Sequence, residues 1–253
     1  MSKDVSESVV HLLPRLYVAA GLTIGQGAPL TDDQAHYLRH VLRRDDGSLL
    51  RVFHPQNGEF LAKLAHQGKK SAQCVPQSLL RSAIPVTQRR HLLFSPLKKD
   101  KMDILVEKAV ELGVTDLHPV VFQRSIVREI KTERITAQIT ESAEQCERLD
   151  MPVLHPLADL RSKMQQWSKD IPIYAAVERG DYPHLCVAVS TSQGKDCAYL
   201  VGPEGGVTTE ETALLLNIKS VRPVSLGQRI LRAETAALYG LSLLDGLLGL
   251  GKP

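Results

Sequence analysis

Aromatic residues are scarce: phenylalanine, tryptophan and tyrosine make up 4% of the 253 residues. Single-stranded nucleic acids are commonly gripped by stacking bases on aromatic rings, so a broad stacking platform is excluded. Long apolar runs are missing too. None approaches the roughly 20 residues of a membrane span, and the richest stretch, residues 236–250, is broken by Asp245 and three glycines. The four cysteines, Cys74, Cys146, Cys186 and Cys197, form no C-x-x-C pair and have no histidine at a zinc-ligand spacing. Common zinc modules are thereby excluded, the thiols are expected to be free and buried, and no metal is expected. Neither G-x-G-x-x-G nor a Walker sequence occurs, which excludes the usual dinucleotide and nucleoside-triphosphate loops. Residues 1–7 carry acids and lack the basic and apolar regions of a secretory leader, so a cytoplasmic location is expected.

What is present suffices for a folded protein. The chain is 43% hydrophobic and 23% charged, a balance that excludes disorder and supports one large domain or two smaller ones. The net charge of +3 neither requires nor excludes a polyanionic partner, but its distribution is uneven: Arg81, Arg89, Arg90, Lys98, Lys99 and Lys101 face a single acid, Asp100, over residues 81–101. That run reads as a basic patch or as a solvated face.

Short alternating segments at residues 15–18, 49–53 and 59–64, separated by glycine-rich turns, predict strands of a small barrel. Thr31 and Asp32 are suited to cap a helix whose stripe is Ala35, Leu38, Val41 and Leu42. After Val75-Pro76 the rhythm changes, which places a domain boundary near residues 75–85. Strands at 91–95, 118–122, 171–177, 198–201 and 221–226 then alternate with helices at 102–112, 132–148, 209–216 and 231–247. Such alternation predicts a parallel sheet covered on both faces.

Parallel sheets bind ligands at the carboxyl ends of their strands. Three loops there stand out: Gln123-Arg124-Ser125, Gly202-Pro203-Glu204-Gly205-Gly206, and Ser225-Leu226-Gly227-Gln228-Arg229-Ile230-Leu231-Arg232-Ala233-Glu234-Thr235-Ala236. The second leads into Thr208 and Glu211, spaced as a capping box, and its glycines let main chain approach a ligand. The third opens a helix with small residues on one face, read either as close backbone contact or as a tightly packed terminal helix with a surface ion pair.

Together with Lys98-Lys99-Asp100-Lys101-Met102-Asp103, Glu107 to Gly113, Ala143-Glu144-Gln145-Cys146-Glu147-Arg148, Arg15-Leu16-Tyr17-Val18 and His36 to Arg43, these segments resemble the RsmE family, the bacterial 16S ribosomal RNA uracil-N3 methyltransferases of the SPOUT superfamily. The resemblance spans nearly the whole chain. Two departures are local: Gln123 stands where an acid commonly precedes Arg-Ser, and Cys146 where a small hydroxyl residue is frequent.

The resemblance implies a PUA-like RNA-binding β-barrel over residues 1–76 and an α/β, trefoil-knotted SPOUT methyltransferase domain over residues 85–253. It implies S-adenosyl-L-methionine in a pocket formed by Leu200, Gly202, Pro203, Glu204, Gly205, Gly206, Leu226, Gly227, Ile230, Leu231, Arg232, Ala233 and Thr235. Arg124, Arg148 and Arg232 are candidates to stabilise the uracil imidate or clamp phosphate, with Glu144 and Glu234 as proton acceptors or arginine orienters. Glu144 and Arg148 are equally readable as an i, i+4 helix pair. Arg15, Arg39, Arg43, Lys98 and Lys101 are expected to contact RNA. The expected partners are 16S ribosomal RNA, or the assembled small subunit, and a second copy of the chain. Ribose 2′-O methylation and a non-catalytic RNA-binding role remain the alternatives.

Overall fold

Residues 10–68, 70–189 and 195–248 are described by the computed structural model. The acidic start at residues 1–7 and the end of the apolar stretch beyond residue 248 lie outside them. Two units separate: one runs to Val86 and takes in Ala143–Met151, and the other comprises Thr87–Ser142 and the chain from Pro152 onward.

In the first unit β1 (Arg15–Tyr17), β2 (Ala28–Pro29), β3 (Leu49–His54), β4 (Gly58–Gln67) and β5 (Ser71–Arg81) form a sheet in the order β1-β3-β4-β5-β2. β1 lies parallel to β3 and the other pairs are antiparallel. The sequence pattern missed β5 because Val75-Pro76 looked like a strand end. Pro76 pairs with Ala62 beside a shift in the β4–β5 register, between Leu61 and Ala62, the kind of irregular position at which a strand tolerates proline. Leu38, Leu50, Val52, Ala62, Leu64 and Cys74 fill the core.

Thr31 caps α1 (Asp32–His36) with a reciprocal box to Gln34, as its sequence predicts. The helix then widens into a π turn over Tyr37–Val41. One extra residue per turn rotates the predicted stripe, so Ala35 and Leu38 are buried while Val41 faces outward. Arg43 leaves this turn at a φ of 51°, and Arg44 N donates to Leu38 O at 2.8 Å.

The second unit contains β6 (Arg90–Phe94), β7 (Asp116–Val121), β8 (Val153–Leu154), β9 (Ala158–Asp159), β10 (Ile173–Ala176), β11 (Cys197–Val201) and β12 (Val221–Val224). Every pairing is parallel, in the order β12-β10-β11-β6-β7-β8, with β9 on β7. The helices are α2 (Lys99–Glu111), α3 (Thr132–Gln145), α4 (Leu160–Gln166), α5 (Leu185–Val189), α6 (Thr209–Leu216) and α7 (Ala233–Leu248). α4 and α5, of 7 and 5 residues, are too short to show a helical period and were not foreseen. α3 stops short of the expected 148 because Glu147 takes a φ of 60°, whereas α2 ends at Gly113 as predicted, with a φ of 78°.

β6 and β11 are buried along their whole length, as central strands of a covered parallel sheet should be. Gly240 of α7 lets the helix settle on Tyr199 of β11: a Cβ there would stand 2.1 Å from the ring. The Tyr199 hydroxyl donates to Ala236 O at 2.9 Å. All four cysteines are free; Cys74 and Cys197 are buried, while Cys146 and Cys186 are half-buried, a correction to the expectation of four buried thiols. No helix among the described residues is long and apolar enough to cross a membrane.

A polar cluster occupies the amino ends of β6 and β7. Asp116 accepts from Arg89 Nε at 2.8 Å, Arg89 Nη2 at 3.1 Å and Thr115 Oγ1 at 2.8 Å, and pairs with His155 Nε2 at 2.8 Å. His91 Nδ1 and His118 Nε2 lie 3.0 Å apart, with the Trp167 edge against both rings. His91, Asp116 and His118 bring three ligand-type atoms within 4.8 Å of one another. A metal there would have to displace the Arg89 guanidinium from Asp116.

Candidate cofactor pocket

The carboxyl ends of β10, β11 and β12 converge on a cavity of about 330 Å³. Its walls are Ala176, Val177 and Glu178 after β10, residues 201–204, 206 and 207 after β11, residues 225–227 and 229–232 after β12, Ala233 and Ala236 of α7, and Lys101 of α2. The cavity thus lies where a parallel sheet presents its ligand site.

Local sequence explains the loop shapes. Gly206 and Gly227 take φ values of 76° and 106°, the left-handed region that glycine enters without a Cβ penalty. Thr208 caps α6 and Glu211 completes the box, accepting from Thr208 N at 3.0 Å. The other Glu211 oxygen accepts from Gln123 N at 2.7 Å. The capping box therefore also fixes the loop after β7, where Ser125 Oγ accepts from Phe122 N at 2.9 Å and lies 2.7 Å from Ser95 Oγ. Gly205 O accepts from Arg124 Nη1 at 3.3 Å, and a Cβ on Gly205 would meet Arg124 Cβ and O at 3.0 Å.

Charge in the pocket wall is concentrated near α2. The Lys101 ammonium pairs directly with Glu204 and stands 3.6 Å from Glu234 Oε1. Glu234 Oε2 is buried and has no hydrogen-bond partner among the described residues. A buried acceptor without a partner carries a desolvation cost that a bound donor removes.

Residues 85–245 match the family described as RNA methyltransferase domain, and residues 30–77 match the RNA methyltransferase PUA domain. The chain belongs to the ribosomal RNA small subunit methyltransferase E family. The Rickettsia conorii protein of that name is 30% identical over 230 residues, covering 90% of this chain and 93% of the relative. The Synechocystis protein of the same name is 30% identical over 250 residues, covering 97% of this chain and 82% of the relative. A Neisseria gonorrhoeae ribosomal RNA small subunit methyltransferase E, solved bound to S-adenosyl methionine, superposes with a TM-score of 0.80 at 27% identity, covering 93% of this chain and 98% of that one. The α/β architecture with a PUA domain is therefore the architecture of this family.

Among the expected cofactor residues of this family member, Gly202, Pro203, Glu204, Gly206, Leu226, Gly227, Ile230, Leu231, Arg232 and Ala233 line the pocket. Leu200 does not: it is wholly buried in the core of the sheet. Gly205 meets Arg124 instead, and Thr235 lines a neighbouring cavity with His184 and Tyr239. Glu178 and Lys101 were missed as pocket residues. Glu178 follows β10 directly, so the same rule about strand ends would have found it.

Of the catalytic candidates, the pocket gathers Arg232, with Glu234 beside it through Lys101. Glu144 and Arg148 belong to the first unit. Glu144 Oε1 accepts from Tyr17 N at 2.8 Å, and the Arg148 fork grips Asp150, with Nε at 2.9 Å from Oδ1.

Three of the RNA-contact expectations stand on exposed or half-exposed residues: Arg39, Arg43 and Lys98. Arg39 Nη2 donates to Gly68 O at 2.9 Å. Arg15 is corrected. It is buried, with Nε on Glu59 at 2.8 Å and its other nitrogens on the carbonyls of Ala143, Glu144 and Arg148. In the basic run at 81–101, Arg81 binds Glu59, Arg89 binds Asp116, Arg90 is buried with Asp245 at 3.5 Å and Lys101 is paired in the pocket, while Lys98 and Lys99 are exposed.

Proposed function

We propose that this chain transfers the methyl group of S-adenosyl-L-methionine to N3 of a specific uridine in 16S ribosomal RNA. The observation that carries the reading is the pocket at the ends of β10, β11 and β12. Its size suits a nucleoside-bearing ligand; Val177, Val201, Val207 and Leu231 offer apolar wall to a base; and Glu178 and Glu204 in the wall, with Glu234 adjoining it through Lys101, offer negative charge to a cationic sulfur centre. The bound cofactor supplies an electrophilic methyl group. The protein must then hold the acceptor nitrogen in line, exclude water and ease loss of its proton.

Uracil N3 becomes nucleophilic only as the imidate, which a nearby cation stabilises. Arg232 in the pocket wall and Arg124 beside Gly205 are the cations offered to that charge, and Glu234, with its unpartnered oxygen, is the carboxylate offered to the proton. Glu144 and Arg148 are more simply read as structural, given their bonds to Tyr17 and Asp150. N3 lies on the Watson-Crick edge, so the target uridine must be unpaired or flipped out. With few aromatics to stack on, RNA is held mainly through phosphates, for which Arg39, Arg43 and Lys98 are the proposed contacts.

A trefoil knot at the loops around 202–206 and 226–232 and a cytoplasmic location belong to the same reading, as does a homodimer. Support for the dimer comes from exposed apolar side chains near α7: Val187, Ile230, Tyr239 and Leu247. Leu241 and Leu244 of α7 are buried within the unit and do not bear on it.

Mass spectrometry of nucleosides from 16S ribosomal RNA tests the reaction. A strain lacking the protein should lose 3-methyluridine and regain it on complementation. Retention of the modified nucleoside in the deletion strain would overturn the reading.

A further inference from the structure

One ion cluster in the pocket wall draws its members from three separate segments. Lys101 stands in the first turn of α2, Glu204 in the loop after β11 and Glu234 in the first turn of α7. The ammonium contacts Glu204 and lies 3.6 Å from Glu234 Oε1. Its hydrogen bond with Glu204 holds the Lys101 pKa above the usual lysine range, so it stays charged throughout the working pH range. A cation in the first turn opposes the helix dipole; Asp100 in the same turn offsets part of this, and Lys98 provides no side-chain cap. Without the ammonium, the carboxylates of Glu204 and Glu234, on separate segments, would lose their shared counter-charge, and one Glu234 oxygen is buried with no hydrogen-bond partner among the described residues.

We infer that Lys101 is a positioning residue for the methyl transfer. It ties the loop after β11 to the start of α7, fixes the pocket wall between them, and holds the Glu234 carboxylate, with its unpartnered oxygen, in place beside that wall. The inference rests on the proposed methyl transfer. It differs from a phosphate-contact role, in which Lys101 would act on RNA affinity and leave cofactor affinity alone.

Calorimetry with S-adenosyl-L-methionine, paired with steady-state kinetics, separates these roles. Lys101→Met should weaken cofactor binding on the order of tenfold or more, because a displaced binding group loses its geometry, while the melting temperature without cofactor stays near wild type. Lys101→Arg should recover most of the affinity. The double variant Lys101→Met with Glu234→Gln should recover part of it, since the second carboxylate no longer needs a counter-charge. At saturating cofactor, kcat of Lys101→Met should fall and its pH profile shift. Wild-type cofactor affinity and kcat in Lys101→Met, with the loss confined to KM for RNA, would overturn the inference. If Lys101→Met does not fold, Glu204→Gln carries the same test, and unchanged affinity there overturns it equally. Failure of the wild-type protein to bind the cofactor would count against the proposed reaction itself.

Discussion

Two glutamates show what a buried carboxylate can be for. Glu59, in the first unit, has a side chain 1% exposed and is gripped by Arg15 at 2.8 Å, by Arg81, and by Arg51 at 3.8 Å. Glu234, in the second, has a side chain 15% exposed and, among the described residues, a single cation at 3.6 Å and one oxygen without a hydrogen-bond partner. The first is electrostatically complete in the free protein and organises its surroundings: Arg15 and Arg81 pass from Glu59 to the carbonyls of residues 143, 144, 147 and 148. The second is incomplete and therefore suited to receive a ligand. Burial alone does not distinguish them; the count of satisfied atoms does.

The largest expected effect breaks the complete one. Glu59→Gln keeps the shape but leaves three guanidinium groups facing one another, and breaking a buried charge pair on one side costs about 3–5 kcal/mol. Urea denaturation should show that loss, whereas Glu234→Gln should be close to neutral in the same assay. Equal losses would mean that the two sites are not different in kind.

A second prediction concerns the histidine cluster, whose contribution to stability falls as the pH drops below neutral. Burial, reinforced by Lys163, His155 and His91, pulls the His118 pKa down to about 2. His91 is lowered as well, again by burial, with Asp116 opposing the shift and Arg89 adding to it. Burial alone would push the Asp116 carboxyl up, but hydrogen bonds from Arg89, His155 and Thr115 outweigh it and leave it at about 2. A folded pKa below the unfolded value means that the stabilisation is complete above the unfolded pKa, near 6.5 for histidine, and drains away as pH falls. At pH 5 His118 alone should cost about 2 kcal/mol, from 1.4 kcal/mol per pH unit over the interval below 6.5. Asp116 adds its own loss only below about pH 4. His118→Gln should flatten stability between pH 7 and pH 5; an unchanged slope would remove His118 from the account.

The sequence revealed the architecture better than the wiring. The strands carrying the site, β10, β11 and β12, were visible as short apolar runs, and the loops at 202–206 and 226–233 stood out through glycine density and position after a strand. β5 was hidden because Pro76 mimics a strand end, and Val41 was misplaced because a π turn leaves no mark in apolar spacing. Charge was the least legible property. Arg15 and Lys101 both look like surface cations in one dimension, yet each is committed to a carboxylate more than forty positions away, Glu59 and Glu204. Only the fold says which acid meets which base.

The smallest predicted effects test whether the pocket's incompleteness extends to its backbone. At Gly206, with a φ of 76°, an added Cβ would meet nothing nearer than Glu178 Oε2 at 3.6 Å. Space is available, so Gly206→Ala should be opposed by backbone strain alone, about 1 kcal/mol. Gly246 also has open space around its Cβ position but lies inside α7 without a positive φ. There alanine should stabilise by about 0.5–1 kcal/mol, because glycine is the poorer helix former. Thermal melts of the two variants should therefore shift in opposite directions. Calorimetry adds the functional half: Gly206→Ala should also weaken S-adenosyl-L-methionine binding, since relief of the strain moves the loop that carries Glu204, while Gly246→Ala should leave it unchanged. A Gly206→Ala protein with wild-type stability and affinity would show that the left-handed turn is not needed to shape the pocket.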